Sequence, residues 1–177
     1  MTITQPAQQI WHGVPSLATA NELSSRSLIG HLGIEFIEVG EDYLVARMPV
    51  DDRTRQPVGL LHGGASVTLA ETLASWAATF TVDHDRASCV GMEINANHLR
   101  PVTSGWVTGV ASPIALGRRT QVWEVRITDD GGRLVCVPAA PWRWSPSRRR
   151  MASRQSDVAT HRLFRPDPVG ARKGHCS

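Results

Sequence analysis

Residues 65–82 (ASVTLAETLASWAATFTV) constrain the fold most. They form the one long helical candidate. The segment is rich in Ala and Leu and mostly apolar, as a helix enclosed by protein would be. A chain that carries such a helix has to wrap it. Gly64, Thr68, Glu71, Ser75 and Thr79 recur at spacings of three or four, so they share one narrow stripe.

The material for wrapping lies on both sides. Residues 33–39 (GIEFIEV) and 43–50 (YLVARMPV) alternate around a Gly-Glu-Asp turn, which predicts a β-hairpin. Residues 51–61 are a polar loop with Pro57 and Gly59. After the helix, residues 88–99, 105–116, 120–128 and 133–137 are expected strands. The sequence DDGG at 129–132 is a hairpin signal. Two strands, one helix and four strands make an α+β fold, an antiparallel sheet wrapped around one long central helix. Residues 1–31 are an N-terminal lead-in with short helical pieces near 21–23 and 24–29. No period of 20–50 residues repeats.

With 177 residues, one domain of ordinary size is expected, and 41% hydrophobic content places it among globular chains. No apolar run of about 18 residues exists, so no membrane span is expected. The N-terminus lacks the basic and apolar regions of a secretory signal. Cys89, Cys136 and Cys176 have no paired spacing, which predicts neither disulfides nor a metal site. A cytoplasmic location follows as the simplest expectation.

Charge divides the chain. Residues 1–137 carry 10 Arg and no Lys against 14 Asp and Glu, a net −4. Residues 138–177 carry 8 Arg and 1 Lys against 2 Asp, a net +7. Such asymmetry can mark a nucleic-acid arm. A solvated, disordered extension is the expectation here, with no nucleic-acid partner.

The chemistry concentrates at 56–75 (QPVGLLHGGASVTLAETLAS). His62, Gly63 and Gly64 stand where the helix begins. The first N–H groups of a helix have no internal partners and carry the positive end of its dipole. Glycine lets a ligand approach them, which suits a polarised carbonyl or a phosphate. Glu71 lies two turns further on. A carboxylate in an apolar helix is costly unless exposed, paired or functional. Desolvation would raise its pKa and make it a better base or nucleophile. Ser75, one turn on, is placed to hold Glu71 or a water, and Gln56 a substrate carbonyl or water. Each residue also has a plainer reading: Glu71 as a solvated helix position, His62 as a cap, the glycines as a turn.

The segment RTRQPVGLLHGGASVTLAETLAS, with GMEINANHLR and LGRRTQVWEVRI downstream, resembles the hotdog-fold thioesterases of the phenylacetate-pathway type. The resemblance runs from about residue 28 to residue 137. It is greatest to the branch holding 1,4-dihydroxy-2-naphthoyl-CoA thioesterase and the enterobactin proofreading thioesterase. It implies a homodimer or homotetramer with acyl-CoA sites at the subunit interface. It implies Glu71 as nucleophile or general base and Gly63 as the residue whose N–H polarises the thioester carbonyl. Gln56 and His62 would flank the thioester and Ser75 would assist Glu71. Glu71 and Gly63 would meet from different subunits. Gly64 and Thr68 would line the substrate site. His98 and Arg100 would contact coenzyme A, with Arg119 or Arg118 at its phosphates. No cofactor is implied, coenzyme A being part of the substrate.

The resemblance breaks at Pro138. Relatives continue their last strand past this point. Here the sequence turns rich in Arg, Pro, Ala, Ser and Trp, as a GC-rich gene read in another frame would. A frameshift near codon 137 is the expectation; if the tail is genuine, Pro138 and Pro141 cut the last strand short, with the alternative that Trp142 and Trp144 still pair as residues 141–144 continue it. Three other readings compete: a hotdog acyl-CoA hydratase or dehydratase, a non-catalytic acyl-CoA binding module, and a nucleic-acid binder acting through the basic tail.

Overall fold

The computed structural model describes residues 9–146, with side chains as far as Trp142. Two short helices, α1 (Leu17–Ser24) and α2 (Leu28–His31), precede a hairpin of β1 (Glu35–Val39) and β2 (Leu44–Pro49). The long helix α3 (Gly63–Phe80) follows. Then come β3 (Ala87–Gly91), β4 (Asn95–His98), β5 (Trp106–Leu116), β6 (Thr120–Asp129) and β7 (Leu134–Pro146). All strand pairs are antiparallel, in the order β1-β2-β5-β6-β7-β3, with β4 also on β7. This is the hotdog arrangement, a curled sheet around one long helix.

The core lies between the helix and the sheet. Leu69, Leu73, Ala77 and Phe80 of α3 are fully buried against Met48, Val107, Trp123, Val125 and Ile127. Each large apolar side chain so buried contributes about 1.5–3 kcal/mol. Gly109 lets β5 come close, since a Cβ there would stand 2.6 Å from Leu73 Cδ1.

The helix begins two residues before the expected 65 because His62 caps it, which brings both glycines into the first turn. The N-terminal segment is bound into the body. Trp11 is 8% exposed and stacks on Trp123 with ring centroids 6.3 Å apart. Asn21 clamps α1 to β1: its Nδ2 donates to Phe36 O, and its Oδ1 accepts from Phe36 N–H, both at 2.9 Å.

Two strand expectations need correction. The last strand is not cut at Val137. β7 runs through Pro138 and Pro141 to Pro146 and lies inside the sheet, between β6 and the β3–β4 pair. The prolines break its ladders instead. Toward β6 no pair is registered between Glu124↔Ala139 and Ile127↔Cys136, the stretch that holds Pro138. Pro141 faces the other side, where its carbonyl accepts from Met92 N–H at 3.2 Å. That is where the expected single strand 88–99 divides into β3 and β4, because Pro141 has no N–H to offer it. The tail from 147 lies outside the described residues, and with it the expectations of disorder and of a basic arm.

Candidate active site

The start of α3 leaves one donor free. Gly64 N–H donates to His62 Nδ1 at 2.8 Å. Ala65 and Ser66 N–H donate to His62 C=O at 2.9 and 3.2 Å. Among the described residues, Gly63 N–H alone of this first turn has no hydrogen-bond partner. It lines a cavity of about 350 Å³ with Gln56, Ser66, His98 and Arg100. A positive helix end with one unspent N–H is suited to a carbonyl oxygen that gains negative charge.

Glu71 lies elsewhere. It lines a second cavity, of about 340 Å³, with Val67, Thr68, Ser75, Trp76, Leu28, Ile29 and Ile94. Glu71 is half-buried, and desolvation by these mostly apolar walls raises its pKa above the usual carboxylate value. The two cavities share no lining residue. Gly63 and Glu71 are eight residues apart, or about 12 Å along a helix axis. Within one chain they therefore cannot act on the same carbonyl.

The structure divides the residues singled out from the sequence accordingly. Gln56, Gly63, His98 and Arg100 come together in the first cavity; Thr68, Glu71 and Ser75 come together in the second. His62 spends its ring as the cap of α3. Thr68 Oγ1 donates to Gly64 O at 2.9 Å. Arg100 Nη1 donates to Leu134 O at 2.6 Å, holding the start of β7. No hydrogen bond joins Ser75 to Glu71 among the described residues. Arg119 is exposed at the β5–β6 turn and lines neither cavity, whereas Arg118 lines a third cavity at the far end of α3.

Several contributors went unread in the sequence. Leu28, Ile29 and Ile94 wall the Glu71 cavity from distant parts of the chain. Trp76 was legible only as an aromatic residue one position past Ser75. Gly91 stands against the Glu71 carboxylate. Cys136 meets His98 across two strands, with Sγ 3.3 Å from Nδ1.

A central helix with a free N–H at its start and a desolvated carboxylate at its middle, inside a hotdog sheet, suits thioester hydrolysis. Residues 58–136 match the thioesterase superfamily. A Vibrio cholerae protein named as an esterase is 53% identical over 128 residues, covering 72% of this chain and 85% of its own. The proofreading thioesterase EntH of Cronobacter turicensis is 50% identical over 128 residues, covering 72% of this chain and 93% of its own. The crystal structure of a Pseudomonas aeruginosa thioesterase, in a glutamine-to-alanine variant, superposes with a TM-score of 0.77. It is 46% identical and covers 77% of this chain and 99% of its own. The chain belongs to the thioesterase superfamily and is an enzyme of that class.

Proposed function

We propose that the protein hydrolyses an aryl-CoA thioester, of the 1,4-dihydroxy-2-naphthoyl-CoA or benzoyl-CoA kind, to the free acid and coenzyme A. Gly63 N–H polarises the carbonyl, and Glu71 acts as nucleophile or as general base on water. Gln56 flanks the thioester. Arg100 takes part in holding coenzyme A. The single observation behind this reading is the division of labour along α3: one unpartnered N–H in one cavity, one desolvated carboxylate in another.

The division calls for a second copy of the chain. A homodimer, alone or paired into a tetramer, brings Glu71 of one subunit to Gly63 of the other. Val90 on β3, with Met92 and Leu99 just past the ends of β3 and β4, are each about half exposed and offer apolar surface for that contact. The aryl preference is supported by Trp76, Leu28, Ile29 and Ile94 around Glu71, a flat aromatic wall among aliphatic ones. The chemistry needs no cofactor, and unpaired cysteines fit a cytoplasmic setting. Among the described residues no helix is long and apolar enough to cross a membrane.

Free-thiol release from a panel of aryl- and aliphatic-acyl-CoA esters tests the reading. Aryl esters are expected to give the highest kcat/KM. A preference for aliphatic esters would overturn the aryl assignment, and no release from any ester would overturn the whole.

A further inference from the structure

His98 and Cys136 are directly opposed across β4 and β7. Cys136 Sγ lies 3.3 Å from His98 Nδ1, and Cys136 is fully buried. The other end of the imidazole faces the start of α3. A Cβ on residue 63 would stand 2.9 Å from His98 Nε2, so a side chain there would make the ring shift. The ring thus stands between a buried thiol and Gly63, in the cavity that also holds Gln56.

Building on the thioesterase reading above, we propose that His98 is a catalytic donor to the same thioester carbonyl that Gly63 polarises. Cys136 is its positioning residue. A neutral imidazole carries its proton on one nitrogen only, and which one is set by the bond the other makes. When the Cys136 thiol donates to Nδ1, the proton sits on Nε2 and points into the cavity. Burial pushes the Cys136 thiol up, so it keeps its proton, while the Val137 backbone N–H pulls the other way. Arg100 and the start of α3 share the cavity with His98, and Cys136 lies behind the ring. This role goes beyond holding coenzyme A, and it gives the developing oxyanion two donors.

Thiol release, with each variant set beside wild type, tests the assignment. His98→Ala is expected to lower kcat by about 10²-fold with KM nearly unchanged. Cys136→Ser keeps a donor and should stay near wild type. Cys136→Ala removes that donor and should lose several-fold in kcat. A His98→Ala defect confined to KM would make His98 a coenzyme A contact only and overturn the proposal. So would a Cys136→Ala defect that is shared by Cys136→Ser. Nitrogen NMR of histidine-labelled protein, assigned with His98→Ala, reads the tautomer without turnover: Nε2–H is expected, and Nδ1–H overturns the proposal. A wild type silent on every ester is instead a failure of the thioesterase reading, and the tautomer then decides the Cys136–His98 pairing by itself.

Discussion

Gly91 stands against the carboxylate of Glu71: a Cβ on residue 91 would lie 3.0 Å from Oε1 and 3.4 Å from Cη2 of Trp142. The end of β3 is thus the wall on which Glu71 rests. Gly91 does not adopt the positive φ of the five glycines that do, so alanine fits its backbone. We expect Gly91→Ala to leave the melting temperature unchanged or slightly raised, since a strand glycine costs roughly 0.5–1 kcal/mol. Its Cβ should push Glu71 aside and lower kcat by roughly 10–10²-fold, the scale of a misplaced catalytic group. Steady-state kinetics beside a thermal melt separates the two effects.

The burial of Glu71 sets a pH dependence. Its pKa is raised above the ordinary 4.5 because its cavity disfavours the charged form. Base or nucleophile, it must be ionised to act. The acid limb of kcat/KM should therefore lie above pH 4.5, with activity rising as Glu71 loses its proton. Stability has the opposite sign. A carboxyl whose folded-state pKa is raised favours the fold below its unfolded value, and this is lost as pH rises through the folded one. Glu71→Gln removes the buried charge. It should cost about 10²–10⁴-fold in kcat, while melting at pH 7 no lower than wild type. A variant that keeps full activity would remove Glu71 from the mechanism.

How much the sequence disclosed depends on the distance over which each feature is decided. The α3 helix and the β1–β2 hairpin are set by periodicity within a dozen or so residues, and both formed close to where they were expected. Glu71 stood out as the lone carboxylate of an apolar helix. The path of β7 was hidden, because whether a proline ends a strand depends on which neighbour its missing N–H faces. Pro138 and Pro141 face opposite sides, and each falls where a ladder has a gap. Leu28 and Ile29 reach the Glu71 cavity from far up the chain. Cys136 and His98 are 38 residues apart, and only the β4–β7 register brings them together.

The β7 path carries its own prediction. Trp142 is 3% exposed, packs in the core and pairs with both Gln121 and Gly91. If the segment after Val137 is part of the body, Trp142→Ala should cost about 3–5 kcal/mol, as for other buried tryptophans. A chain ended at Val137 would lose the β7 residues that pair with β3 and should not fold. A chain ended at Pro146 keeps those pairs and should fold. Denaturant titration of the three proteins decides this. Equal stability of the Val137-ended chain would show that residues 138–146 add nothing.

The clamp between Asn21 and Phe36 ties the Glu71 cavity to the N-terminal segment. Asn21 serves both backbone groups of Phe36, so Asn21→Ala leaves a donor and an acceptor unpaired, at about 1–3 kcal/mol. α1 then loses its hold on β1, and α2 follows α1 directly in the chain. Leu28 and Ile29 of α2 wall the Glu71 cavity, while Gly63 and Gln56 lie in the other one. Loosening α2 should weaken the grip on the acyl group and leave the carbonyl site alone. We expect KM to rise most for bulky aryl esters, less for acetyl-CoA, with kcat changed little for both. Michaelis parameters for the two esters check it. An equal rise in both KM values would mean that α2 takes no part in acyl recognition.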